Sequence, residues 1–163
     1  MIMKRLIFVR HAKSSWEFNV SDHERPLSNR GFSDAQLISR KLINQLNPDS
    51  VLSSDAMRAE TTASIFVNNL NIQEEIFKLN RSLYDFSGEK LLQVIKTSDN
   101  SINELLIFGH NNSVTSVVNN YGDKYIDNVP TCGVVIIEFE IDNWKDFKKG
   151  KTVMTLFPRD LKN

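Results

Sequence analysis

A chain of 163 residues that is 40% hydrophobic and 25% charged has the make-up of an ordinary globular domain, long enough to bury roughly 70% of the surface its unfolded form exposes without help from disulfides or metals. Twenty basic residues balance twenty acidic ones and no Lys/Arg-rich block occurs, which argues against non-specific binding to nucleic acid or to an anionic membrane. Cys132 is the single cysteine; with no internal disulfide available, it suits a reducing compartment.

Taken in chain order, Lys4-Arg5 is followed by only four apolar residues, Leu6 to Val9, too short for a signal-peptide core, and no apolar run approaches the ~18 residues of a membrane span. The expectation is a cytoplasmic protein with residues 1–163 forming one domain. Leu6-Ile7-Phe8-Val9 reads as a buried strand that runs directly into Arg10-His11. Glu17 to Arg25 is polar and non-periodic, a surface loop whose end is fixed by Arg25-Pro26-Leu27, because proline disfavours helix at the residue before it. Trp16 either lines a pocket rim or packs on the domain.

A helix is predicted from Ser28, with Ala35, Ile38, Leu42 and Leu46 at helical spacing and Asn47-Pro48 as its stop. Val51-Leu52 is a short strand ending in Ser53-Ser54-Asp55. A second helix follows, with Ala59, Ala63, Phe66 and Leu70 on one face and Arg58 in or just before its first turn. Ile76 to Leu79 reads as an edge strand, since Lys78 would be costly in a sheet covered on both faces. Asn80 to Gly88 is a loop, and Leu91, Leu92 and Ile95 mark a short helix.

Leu105 to Phe108 repeats the opening pattern and ends in Gly109-His110. Ser113 is a candidate helix cap before Val114, Val117, Val118 and Tyr121. Strands at Val134 to Phe139 and Thr152 to Phe157 close the chain, with Asp142-Asn143 and Lys149-Gly150 as turns. Strands alternating with helices predict an α/β fold with a mostly parallel sheet and helices on both faces.

In such a sheet, ligands bind beyond the carboxyl ends of the strands. Arg10 and His11 follow the first strand, Arg58 lies just beyond the second, and His110 follows the Leu105 strand. If those strands are neighbours, two arginines and two histidines converge and form a phosphoryl-binding site. The guanidinium fork matches phosphate oxygens and stays charged, and helix starts near Asp55 and Ser113 would add backbone donors. His23, between Asp22 and Glu24, keeps the ordinary reading of a structural or solvated histidine. With no His-x-His or His-x-x-x-His spacing and one cysteine, no metal site is expected. The absence of Gly-x-x-x-x-Gly-Lys and Gly-x-Gly-x-x-Gly stretches removes nucleotide-cradling loops, and no cofactor is expected.

Arg10-His11-Ala12 resembles the Arg-His-Gly signature of the histidine phosphatase superfamily, which includes phosphoglycerate mutases and SixA-type phosphohistidine phosphatases. Ser53-Ser54-Asp55-Ala56-Met57-Arg58-Ala59 resembles that family's second arginine segment, Gly109-His110-Asn111 its second histidine segment, and Pro130-Thr131 a later turn. The string Arg10 to Trp16, with Arg25-Pro26-Leu27 and Arg30-Gly31, is similar to the SixA-type branch in particular. The resemblance implies a phosphoglycerate mutase-like three-layer α/β/α sandwich. It implies His11 as nucleophile, with its other ring nitrogen donating to a backbone carbonyl, Arg10 and Arg58 as phosphoryl clamps, protonated His110 as an added positive group, and Ser14 as a further substrate-binding residue.

Three departures stand out: Ala12 for the usual Gly, Glu17 where mutases commonly carry Asn, and Asp55 for a frequent Pro. Ester-cleaving members carry an acid above the phosphate. Here Asp85 and Glu89 are the candidates, though each also reads as a solvated loop or helix-start carboxylate. Imidazole leaves more readily than an alkoxide, so the weak acid signal favours protein phosphohistidine as substrate. The short connections, which predict an open site, point the same way. A small phosphorylated metabolite cleaved with Asp85 or Glu89 as acid, and a phospho-binding module without turnover, are the alternatives.

Overall fold

The structure, a computed structural model, describes residues 3–162. Six strands, β1 (Met3–Arg10), β2 (Ser50–Ser53), β3 (Phe77–Leu79), β4 (Glu104–Gly109), β5 (Val134–Glu140) and β6 (Lys151–Leu156), form one sheet in the order β3-β2-β4-β1-β5-β6. The pairings among β3, β2, β4 and β1 are parallel, whereas β5 is antiparallel to both β1 and β6. Five strands thus point one way, in agreement with the mostly parallel sheet that the alternating pattern predicts.

Side chains alternate across a strand, and this sheet is apolar on both faces. Leu6, Phe8, Leu105, Ile107, Val135 and Ile137 share one buried core with Leu91 and Ile95 of α3 (Glu89–Lys96) and Val114, Val117 and Val118 of α4 (Ser113–Tyr121). Ile7, Val9, Val51, Leu106, Phe108 and Ile136 share the other with Ala35 and Ile38 of α1 (Asn29–Lys41) and Ala63 and Phe66 of α2 (Met57–Asn69). Two helical layers sandwiching the sheet give the three-layer α/β/α architecture. Burying the four residues Leu6 to Val9 completely stabilises the fold by on the order of 1.5–3 kcal/mol per side chain.

The register aligns the site. Arg10 lies opposite Gly109 across β1 and β4, and Ser53 lies opposite Phe108 across β2 and β4, so the C-terminal ends of three adjacent strands finish level. At the opposite end of β1, Lys4 is fully buried. Its ammonium donates to the carbonyls of Asn100 and Ile102, each at 2.9 Å, and to Asn103 Oδ1 at 3.0 Å.

Several boundaries differ from the sequence reading. Helix α1 stops at Lys41, before Leu46, because the chain turns over with Asn44 in the left-handed region at φ 66°; Leu42 and Leu46 still pack on the core from the turn, which preserves the helical spacing. Ile76 belongs to a 3-10 turn before the edge strand β3, where Lys78 is exposed as expected. Ser113 does not cap α4: its hydroxyl donates back to the carbonyls of His110 and Asp85. The side chain of Asn111 accepts from the Thr115 amide instead, at 3.3 Å. A terminal helix α5 (Pro158–Leu161) was absent from the sequence reading, being only four residues long.

Candidate active site

The end of β1 is pinned from both sides. His11 N–H donates to Gly109 O at 3.0 Å, Arg10 N–H donates to Gly133 O at 3.1 Å, and Cys132 N–H lies 3.0 Å from both the Arg10 and the His11 carbonyls. Cys132 is buried and holds φ 59°, so its place is structural, a small residue at a tight crossing. A third tie joins this strand end to α2, because Ala12 N–H donates to Thr62 Oγ1, which itself donates to Arg58 O.

The four residues expected to converge do so. His11 is 7% exposed and its Nδ1 lies 2.7 Å from Ala12 O; a carbonyl only accepts, so Nδ1 carries the proton and Nε2 presents a lone pair. Arg58, in the first turn of α2 and 2% exposed, donates its Nε–H toward that Nε2 at 3.3 Å. Burial, chiefly, with help from His110, Arg58 and Arg10, pushes the His11 pKa well below its ordinary 6.5 against the opposing pull of Ala12 O. Arg10 is half-buried, with one Nη donating to Val129 O at 2.9 Å and a buried Nε that has no partner among the described residues.

His110 is fully buried beside His11, the ring centroids 5.2 Å apart. Its Nε2 sits 2.8 Å from Ser54 Oγ, and its buried Nδ1 has no partner among the described residues. Burial first, and then the charge of Arg58, lowers its pKa to about 3. With only the protein's own charges around it, His110 is therefore a neutral imidazole. Tyr84 and Phe86 flank its ring at 5.3 and 5.1 Å.

A nucleophilic imidazole lone pair, two arginines and a second imidazole at one sheet edge make an electrophile-binding site suited to a phosphoryl group. The sequence profile of the histidine phosphatase superfamily, branch 1, matches residues 6–81, the stretch that carries Arg10, His11 and Arg58. The chain belongs to the histidine phosphatase superfamily. An uncharacterised chloroplastic protein of Arabidopsis thaliana is 30% identical over 156 residues, covering 89% of this chain and 71% of that one. Among solved structures, the protein histidine phosphatase SixA complexed with tungstate superposes with a TM-score of 0.78 at 19% identity, over 97% of this chain and 99% of that one. A phosphoglycerate mutase from Bacillus anthracis superposes with a TM-score of 0.63 at 15% identity, over 88% and 94% of the two chains. The superfamily fold is thus common to both, and the superposition on SixA is the more complete.

The remaining candidates make their hydrogen bonds with groups other than Arg10, His11, Arg58 and His110. Asp85 is 7% exposed, and Oδ2 of its carboxylate accepts the amides of Gly88, Lys90 and Leu91 while Oδ1 accepts the Ser87 amide and hydroxyl. These bonds lower its pKa. It anchors the start of α3 as an anion with no proton to give, which corrects its reading as the acid. Glu89 is exposed in the first turn of α3 and makes no hydrogen bond or ion pair with the four site residues. Ser14 is buried, bridged in register with Leu27, and its hydroxyl accepts from Arg25. Its part is thereby to hold the loop. Trp16 is 76% exposed and stacks on the Arg25 guanidinium, 3.7 Å from ring centroid.

Two side chains at the site escape sequence reasoning. Asp22 accepts from Arg58 Nη2 at 3.0 Å and from the Tyr84 hydroxyl at 2.5 Å. Both come from non-periodic loops, and the one sequence signal was the Asp22 to Arg25 spacing, which closes an ion pair at 2.9 Å. His23 takes the structural half of its ordinary reading: its Nε2 lies 2.8 Å from Asp55 Oδ1 and its ring meets Tyr84 edge-on. Asp55 is thus engaged with His23 and Arg81, while Ala56 stands at the cap of α2.

Proposed function

We propose that this chain, acting as a single domain, is a phosphatase of protein phosphohistidine that works through a phosphohistidine intermediate on His11. The observation that carries this reading is the His11 Nε2 lone pair, fixed by the Nδ1–H bond to Ala12 O and set beside Arg58, at a site where neither Asp85 nor Glu89 is placed to protonate a leaving group. Transfer from a protonated phosphohistidine needs no such acid. The His11 Nε2 pair forms a bond to phosphorus, the substrate P–N bond breaks with its pair returning to the leaving ring, and that ring departs as neutral imidazole. His11 keeps its Nδ1–H and carries the ring charge that the substrate lost. Water then attacks phosphorus, and the Nε2 pair returns to His11.

Arg10 and Arg58 would clamp the phosphoryl oxygens. The partnerless Nδ1 of His110 and Nε of Arg10 are the donors that a phosphoryl anion would satisfy, and its charge would draw a proton onto His110. Losing one such fixed donor costs on the order of a hundredfold or more in rate. The tungstate named with SixA is likewise a tetrahedral oxyanion. A protein-borne substrate suits a site whose covering connections carry no more than single 3-10 turns, with residues 54–56 joining β2 to α2 and 110–112 joining β4 to α4. Among the described residues no helix is long and apolar enough to cross a membrane, and the buried free thiol of Cys132 suits the reducing cytoplasm.

The test is phosphate release from a phosphohistidine-bearing protein beside a panel of phosphate esters. Release from phosphohistidine should exceed that from the best ester and vanish in His11→Ala. Ester turnover with phosphohistidine untouched would favour the small-metabolite alternative, and phosphate affinity lost in Arg58→Ala without turnover of any substrate would favour a binding module.

A further inference from the structure

Asp22 places a fixed negative charge where a phosphoryl-binding site should avoid one. Its carboxylate accepts from Arg58 Nη2 at 3.0 Å, Tyr84 Oη at 2.5 Å and Arg25 Nη2 at 2.9 Å, and its backbone carbonyl accepts from Arg58 Nη1 at 2.6 Å. The Tyr84, Arg25 and Arg58 donors together hold its pKa far below the usual carboxylate range. The Arg58 guanidinium reaches from the His11 nucleophile at its Nε to Asp22 at its Nη2, so the anion stands one side-chain head away from the reacting atoms. The Asp22 side chain is still 46% exposed, which leaves lone pairs open to a substrate.

An anion in this position repels a phosphate ester at two stages. It opposes the incoming dianion, and it opposes the negative charge that grows on the leaving oxygen, since it has no proton to offer. A phosphohistidine presents the reverse pattern: its ring, protonated on the nitrogen away from phosphorus, carries a positive charge and an N–H. We propose that Asp22 is a specificity-determining residue that accepts this N–H and selects phosphoryl groups attached to a cationic ring over phosphate esters. This rests on the phosphohistidine reading above.

The atoms balance without Asp22 changing protonation. As the substrate P–N bond breaks, its pair neutralises the leaving ring, the ring N–H stays on nitrogen, and the Asp22 carboxylate accepts that N–H before and after departure. While the P–N bond is only partly broken the ring keeps its N–H and much of its charge, so Asp22 holds the bound substrate and the transition state alike, and its effect should fall on KM rather than kcat.

Kinetics of wild type, Asp22→Asn and Asp22→Glu on a phosphohistidine-bearing protein and on p-nitrophenyl phosphate test this. In Asp22→Asn, KM for phosphohistidine should rise about tenfold with kcat little changed while kcat/KM for the ester rises, collapsing the preference; Asp22→Glu, which keeps the charge, should retain it. A Tyr84→Phe variant, which removes one partner of Asp22 and leaves its charge, should also keep the preference. If both substrates change by one common factor in Asp22→Asn, Asp22 merely positions Arg58 and the specificity role is overturned, with the phosphohistidine reading intact. A wild type that turns over the ester and not phosphohistidine overturns both.

Discussion

Both site histidines are held neutral chiefly by burial, with the neighbouring arginines adding to it. His11 loses charge to burial and the surrounding arginines, and its tautomer is set by Ala12 O; His110 is fully buried against Ser54. A folded-state pKa of about 3 for His110 against 6.5 in the unfolded chain means that below pH 6.5 the unfolded state binds a proton that the folded state does not. This contribution therefore favours unfolding increasingly as pH falls, by up to about 1.4 kcal/mol per pH unit. Urea midpoints measured from about pH 7 down to about pH 5 should fall, and a His110→Gln variant should show a shallower slope; equal slopes would contradict the burial of a neutral His110. These residues were legible in the sequence because each follows or starts an apolar element. Asp22 and Tyr84 were not, because they meet only through space, from loops whose path no periodicity encodes.

At the scale of elements, the starts of helices shape the site. Arg58 rides in the first turn of α2, whose N-terminus faces the strand ends, and its spacing was readable from Ala59, Ala63 and Phe66. At the start of α3 the sequence leaves two readings open for Asp85, because a carboxylate before a helix has the same appearance whether it caps or catalyses. Five donors on Asp85 resolve it as structural. Asp85→Ala should lower stability by about 1–2 kcal/mol, the usual cost of losing a helix-start side chain, with Asp85→Asn costing less. The pH profile of phosphohistidine turnover should keep its shape in both variants; loss of an acid-dependent limb would restore Asp85 as the proton donor. Gly31, in the first turn of α1, has a similar positional reason: a Cβ there would strike the Lys13 carbonyl, so close packing of α1 on the loop after His11 requires glycine.

On the scale of the whole molecule, the sheet was the most legible feature. Runs such as Leu6 to Val9 and Leu105 to Phe108, apolar at every position, belong to strands covered on both faces, and both are completely buried. Strand order and register were not written locally. They bring Arg10 opposite Gly109 and Ser53 opposite Phe108, and so turn separate motifs into one site. The proposed reaction requires covalent chemistry at His11. Wild-type protein mixed with a phosphohistidine-bearing protein labelled in its phosphoryl group, quenched in alkali within one turnover and mapped by peptide, tests this directly. Label on the His11 peptide that is stable in alkali and lost in acid is the expected result. Label on another residue, or phosphate released at the wild-type rate by His11→Ala, would contradict it.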